Sequence, residues 1–352
     1  MRRLTKATAI AGVAALVLAG AGCGKNSDGN DDTSSKGDDC VKVDADKKVG
    51  MAFDVGGRGD QSFNDSAAKG LDKAACDLGF SAKTAEAQDG EAESAREGRL
   101  QQLVDAGYNP VIAVGFAYSA SVAKVAKANP DVNFAIVDDG VEGKNIANLL
   151  FAEEQGSFLV GAAAALKSEA GNIGFVGGVE VPLIKKFEAG YIAGAKAVNP
   201  DIKVQSRYLT QPPDFSGFGD PAKGKTAAEG MYDAGADVVY QAAGGSGGGV
   251  FEAAAAADKK AIGVDSDQAL TADASVKDVI LTSMLKNIDV AVFNFLKSVD
   301  DGDVPTGPTT FDLKVDGVGY STTGGQVDDI KEKLDEYKQQ IIDGTITVPT
   351  AP

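Results

Sequence analysis

The chain has no histidine. That removes the commonest general base and the commonest metal ligand, and it weakens any hydrolytic reading at the outset. Basic residues are also scarce, with 34 Lys and Arg against 51 Asp and Glu. Setting aside Arg2, Arg3 and Lys6 at the N-terminus leaves 31 against 51, a net charge of −20. So acidic a surface repels phosphate backbones and excludes a nucleic-acid partner. Cysteine is rare, with three residues in 352. Apolar content, at 43%, is ordinary for a globular protein, and the length suits one large or two medium domains.

The N-terminus has the grammar of an export leader. Positive residues come first, an apolar run follows from Ala7 to Leu18, and Ala19-Gly-Ala-Gly22 supplies small residues before Cys23. The run is too short to read as a membrane span. A Cys directly after small residues resembles a bacterial lipobox, although Gly20 stands where Leu is usual. Residues 1–22 are therefore expected to be a signal peptide, with lipid on Cys23 anchoring the protein to the outer face of the cell membrane. An ordinary secretory signal with an incidental Cys is the other reading. Residues 23–45 are polar and acidic and read as a disordered tether. Cys40 and Cys76 then remain as an even pair in an oxidising compartment, a candidate disulfide beside the alternative of two free thiols.

From residue 48 short apolar runs alternate with helical stretches. Strands are expected over 48–53, 111–114, 133–137, 172–176, 203–209, 237–242 and 261–264. Helices are expected over 62–78, 91–106, 119–129, 155–168, 182–198, 221–234 and 247–258. Near-continuous apolar strands alternating with helices indicate a doubly wound α/β fold. The pattern repeats. Asp105-Ala-Gly leads into a strand, a helix and a strand ending at Asp138, and Asp233-Ala-Gly leads into the same series ending at Asp265. Pro110 to Asp138 spans 28 positions, as does Asp237 to Asp265. Two similar lobes facing across a cleft follow, with both acids at strand carboxyl ends, where open α/β sheets bind ligands. The first lobe is expected from 46–149 plus about 285–310, and the second from 150–284 plus about 311–352. Crossings are expected near 149–153, 282–284 and 309–314.

Two segments carry candidate chemistry. Gly244-Gly-Ser-Gly-Gly-Gly249 follows a strand and opens a helix, so its N–H groups face any ligand there. It lacks the Lys-Ser/Thr of a P-loop and misses the dinucleotide spacing. Asp54-Val-Gly-Gly-Arg-Gly-Asp60-Gln-Ser-Phe63-Asn64 is a Gly-rich turn ending at a helix start. Within it, Arg58-Gly-Asp60 also spells a cell-adhesion tripeptide. Asp54, Asp60 and Asp65 sit loosely enough to suggest a metal cluster for a nucleoside hydrolase, but no His supports it.

The Ser62-Phe-Asn64 motif resembles that of the basic membrane protein family of substrate-binding lipoproteins, whose transport members bind purine nucleosides. The likeness continues in Asn133-Phe-Ala-Ile-Val-Asp138, Gly174-Phe-Val-Gly-Gly178, Ile184-Lys-Lys-Phe-Glu-Ala-Gly-Tyr-Ile-Ala-Gly194, Asp220-Pro-Ala-Lys-Gly-Lys225, Ala243-Gly-Gly-Ser-Gly247 and Gly263-Val-Asp-Ser-Asp-Gln268. The resemblance implies a type I periplasmic-binding-protein fold, an ABC permease as partner, no catalysis and no cofactor or metal, in a monomer. It implies a base held between Phe63 and Phe218, with Phe215 as the alternative second ring. Polar contacts map to Asp54, Asn64, Asp138, Gly245, Gly247, Asp265 and Lys286. Riboflavin or a sugar on the same frame, and a surface antigen or adhesin without transport, are the competing readings.

Overall fold

A computed structural model describes residues 40–352. The leader, Cys23 and most of the expected tether lie outside the described residues. The chain opens with β1 (Asp44–Phe53), α1 (Phe63–Leu78), β2 (Phe80–Glu86), α2 (Glu93–Asp105), β3 (Val111–Val114), α3 (Ser119–Ala128), β4 (Phe134–Val137) and β5 (Ile146–Phe151). It continues with α4 (Glu153–Lys167), β6 (Asn172–Val179), α5 (Pro182–Val198), β7 (Lys203–Thr210), α6 (Pro221–Asp233), β8 (Val238–Ala242), α7 (Gly247–Ala257), β9 (Lys260–Asp265), α8 (Gln268–Thr271) and β10 (Ile280–Lys286). It closes with α9 (Ile288–Asp300), β11 (Gly307–Phe311), β12 (Val318–Tyr320) and α10 (Lys331–Ile342).

Two six-stranded sheets result, ordered β11-β5-β4-β3-β1-β2 and β12-β10-β9-β8-β6-β7. The two orders correspond strand for strand, so Asp138 after β4 and Asp265 at the end of β9 hold the same place in two copies of one fold. Among the described residues every pairing is parallel except β10 with β12. Parallel strands need cover on both faces, and successive residues of β1 supply it. Met51 and Phe53 join a core with Leu71 of α1 and Phe295 of α9, whereas Ala52 faces Leu100 of α2 and Val122 of α3. This is the type I periplasmic-binding-protein fold.

Each lobe lends the other a helix. After β5 the chain crosses at Ala152, and α4 packs on α5, β10 and β12 of the second lobe. After β10 it crosses back at Asn287, and α9 packs on α1 of the first. A third crossing, 312–317, joins β11 to β12. The three crossings are bonded to one another: Ala152 N–H donates to the Phe311 carbonyl (3.1 Å) and Asn287 N–H to that of Gly317 (2.9 Å).

The structure corrects several expectations. Residues 282–284 are not a crossing. They lie inside β10, where Thr282 and Ser283 are buried because their hydroxyls bond to the Ser321 carbonyl and the Gln268 N–H. Leu285 and Lys286 finish that strand in the second sheet. Strands β2, β5, β10, β11 and β12 were not anticipated. At the N-terminal edge Cys40 and Cys76 form a disulfide, with Cα atoms 4.5 Å apart. Beside it Val41 N–H donates to the Cys76 carbonyl, which fastens the incoming chain to the end of α1.

Candidate ligand-binding site

The carboxyl ends of both sheets face one cleft. Its cavity holds about 540 Å³ of empty space, open solvent at its mouth included. Of the expected residues, Asp54, Phe63, Asn64, Asp138, Phe218, Asp265 and Lys286 line it. Gly245 and Gly247 do not, and Gly244 takes their place. Gly247 sits at the start of α7 against the Gln241 side chain, which leaves no room there even for a Cβ. Seven apolar wall residues went unforeseen: Val55, Phe116, Ala242, Val264, and Leu183, Ile184 and Phe187 on the first turns of α5.

The first-lobe wall is a loop folded around two side chains. Asn64 accepts from Asp54 N–H (3.0 Å) and donates to Asp60 (3.1 Å). Asp60 accepts from the N–H groups of Ser62 (2.9 Å), Asn64 (2.8 Å) and Asp65 (3.1 Å), and so satisfies the free donors that open α1. This removes the adhesion reading, because Asp60 is buried and Arg58 pairs with Asp72. Among the described residues no group of three acids or more is placed to hold a metal ion. Gly115, at φ 103°, gives space to Asp54, whose carboxylate stands where a Cβ would be. Burial pushes the carboxyls of Asp54 and Asp60 up to about 6.

Charge in the cleft centres on Lys286. Its side chain is 1% exposed, with Nζ 2.6 Å from Asp138 Oδ2 and 3.2 Å from Glu153 Oε1. Glu153 also holds Lys186 at 3.2 Å. Burial opposes the Lys286 charge, yet the attraction of Asp138, Glu153 and Asp265 raises its pKa above the usual lysine value. One cation shared in this way does not hold Asp138 or Asp265 down. Burial, added to by Glu153 and Asp265, outweighs Lys286 and lifts Asp138 to about 7. Burial likewise raises Asp265. Asp138 and Asp265 adopt the left-handed conformation, at φ 71° and 62°, which Asp tolerates better than most residues. Asp138 Oδ1 is buried with no hydrogen-bond partner, an acceptor left unused in the cavity wall.

Rings come from both lobes. Phe63 and Phe187 lie 5.2 and 5.5 Å from Lys286 Nζ, so the ammonium sits among aromatic faces as well as acids. Phe218 packs over Gly178, where any Cβ would strike its ring. Its edge meets Phe116 at 6.4 Å. Phe215 is outside the cavity wall.

The lobes touch across the cleft. Ser62 donates to Asp265 Oδ2 (2.8 Å), Ser266 to the Ser62 carbonyl (3.0 Å) and Gln268 to the Gln61 carbonyl (3.1 Å). Gln61 takes φ 53° to present that carbonyl. Each bond joins the first lobe to the second, so this is a closed arrangement.

The comparisons agree with this geometry. Residues 47–351 match the Bmp family model, described as ABC transporter substrate-binding protein PnrA-like. The chain is 36% identical to a CD4+ T-cell-stimulating antigen of Listeria innocua over the full length of both chains. It is also 36% identical to the ABC transporter nucleoside-binding protein BmpA of Lactococcus lactis, across 88% of this chain and 91% of that one. A solved ABC transporter solute-binding protein from Aeropyrum pernix superposes with a TM-score of 0.76 at 30% identity, covering 86% of this chain and 93% of that one. A cleft of this build in a fold of this kind, matched from end to end, places the chain in the Bmp family of PnrA-like ABC transporter substrate-binding proteins.

Proposed function

We propose that the protein is a lipid-anchored, extracytoplasmic receptor that binds a purine nucleoside between its lobes and delivers it to an ABC permease. The observation that carries this reading is the pairing of aromatic faces with buried acceptors around a cation that is already engaged. Lys286 is held by Asp138 and Glu153. The cleft therefore has little positive charge to offer an anion, while Asp54, Asp138 and Asp265 repel one. A neutral ligand with flat faces and hydroxyl donors suits it. Phe63 and Phe218 stack the base, and Asn64 holds Asp54 toward it. Asp138 Oδ1 and the free oxygen of Asp265 accept from hydroxyls, and Lys286 balances their charge. The name of the Lactococcus relative, a nucleoside-binding protein, supports the same ligand class.

Binding alone performs this function. A ligand that touches both lobes favours the closed state, and a permease reads that shape. The leader and Cys23 support export and lipid anchoring. Calorimetry with adenosine, guanosine, inosine and their monophosphates tests the ligand class. One site per chain for a nucleoside, with much weaker binding of its monophosphate, is expected. Equal or tighter monophosphate binding would sink the reading.

A further inference from the structure

From α2 to the cavity wall, four side chains alternate between the lobes. Arg96 on α2 belongs to the first lobe and Phe215 to the second. Phe116 belongs to the first again, and Phe218 to the second. The Arg96 guanidinium lies 5.8 Å from the Phe215 ring centroid. Phe215 meets Phe116 edge to face, with centroids 5.9 Å apart and planes at 67°. Phe116 meets Phe218 in the same manner, at 6.4 Å and 72°. The series interleaves like the fingers of two hands, and each of its three contacts joins opposite lobes.

Arg96 is unusual for a cation in this position. It is 6% exposed, and its Nε is buried without a hydrogen-bond partner. The nearest carboxylate oxygen, Glu91 Oε1, is 3.5 Å away. The face of the Phe215 ring accompanies the guanidinium on the side toward the second lobe. From behind, Glu91 is gripped by Arg99, Arg99 donates to the Tyr118 hydroxyl (2.8 Å), and Tyr118 donates to the Phe53 carbonyl (3.1 Å). Phe53 precedes Asp54, so the cation is braced on the strand end that carries a cavity acid.

We propose that Arg96 and Phe215, neither of which lines the cavity, determine affinity. With Phe116 and Phe218 they form a latch that holds the lobes shut and sets how long the ligand stays. The ligand's identity here rests on the nucleoside-receptor reading, whereas the latch needs only the two lobes. Edge-to-face pairs and cation–π contacts stabilise the closed state and vanish when it opens. A ligand enclosed by both lobes leaves only through the open state, so weakening the latch speeds dissociation. Association, governed by encounter with the open cleft, changes little. The latch also fixes the plane of Phe218, because a ring edged against Phe116 is not free to turn away from the base. Arg96 and Phe215 are thus positioning residues, and the ring they position, Phe218, is one of the two that stack.

The experiment uses the full mature chain with spin labels at Lys127→Cys and Lys259→Cys, exposed positions on the two lobes. Phe215→Ala and Arg96→Met remove the contact, and Phe215→Tyr and Arg96→Lys preserve it. Dissociation of adenosine, guanosine and inosine is followed by stopped flow, and lobe separation by pulsed electron resonance. The two truncations are expected to raise the dissociation rate about tenfold each, and the association rate to stay within about threefold. The double truncation should fall short of the product of the singles, because each single already breaks the shared contact. The conservative variants should behave as wild type, and the truncations should lengthen the lobe separation without ligand. Dissociation within about twofold of wild type in both truncations, with unchanged separations, overturns the latch. If none of the three nucleosides binds the wild-type protein, the nucleoside reading fails and the separations still decide. Lengthening then supports the latch, and no change refutes it.

Discussion

Replacing Lys286 by Met isolates the electrostatics of the cleft. Methionine matches the apolar stem, so the substitution removes charge with little change of volume. Two acids lose a partner, but unequally. Glu153 keeps Lys186 at 3.2 Å. Asp138 loses its one close donor, and its other oxygen already has none. Removing one member of a buried pair costs about 3–5 kcal/mol, because the remaining charge stays buried without compensation. The cost falls on Asp138, so neutralising that residue should recover most of it. The double variant Lys286→Met/Asp138→Asn is therefore expected to approach wild-type stability. The pH dependence has a definite sign. The Asp138 carboxyl already sits at about 7 with Lys286 beside it, and losing the cation moves it higher. An acid raised on folding contributes stability that is present at low pH and lost as pH rises through its folded value. The single variant should be most damaged at pH 8 and least at pH 5. Urea unfolding at both values gives the measurement. A loss below about 1 kcal/mol at pH 8, or a double variant no better than the single, would refute the reasoning.

The wild-type protein should itself unfold at a higher urea midpoint at pH 5 than at pH 8. Asp54, Asp60 and Asp138 are raised to about 6, 6 and 7 by burial, and Asp54 alone, folded about one unit above pH 5, accounts for roughly 1.4 kcal/mol of the difference at about 1.4 kcal/mol per unit; a higher midpoint at pH 8 would contradict this. Phe63→Ala and Phe218→Ala should each weaken nucleoside binding by about 1–3 kcal/mol in calorimetry with the fold intact, and silence in both would remove the stacking model. Gly194→Ala should destabilise by about 1–3 kcal/mol or more, since a Cβ there runs into the Phe158 carbonyl where α5 lies on α4; an unchanged melting temperature would mean that the two helices separate freely. Reducing the Cys40–Cys76 bond closes off a constraint 36 residues long and should cost about 4 kcal/mol on the loop-closure estimate, read as the shift in urea midpoint on adding reductant.

The lobes and their acids were legible because the repeat has a fixed spacing. The 28-position match between Pro110–Asp138 and Asp237–Asp265 identified two equivalent strand ends, and both acids stand there in the same left-handed conformation. Strand β2 was not legible, because it pairs only with β1 and half its residues face water, which leaves no apolar run. Strand β10 was misread for the opposite reason. Its Thr282 and Ser283 look like loop residues and are buried, with partners supplied by 268 and 321, far away in sequence. The aromatic wall was legible only in part. Phe187 lies inside an amphipathic helix, where a ring normally means core, and nothing local says that its turn of α5 faces a cavity. The glycine turn pointed to the right place and the wrong atoms, since 244 opens on the cavity while 247 has already entered α7.

The exchanged helices have a consequence for how the chain becomes a protein at all. The first lobe begins with β1, but its α9 and β11 are residues 288–311, close to the other end. As the chain emerges from N- to C-terminus, the first five strands appear early and wait. One face of their sheet has no α9 and one edge has no β11 until nearly everything else has been made. The second lobe meets no such delay, because all of its strands but β12 arrive in sequence. Biosynthesis therefore runs against the numbering, with the later lobe able to assemble its sheet first and the earlier one completed last. Until then the face of α1 that α9 covers, at Gly70 against Asp289 and Val292, stays unpacked, and exposed apolar surface of this kind is where an incomplete chain aggregates.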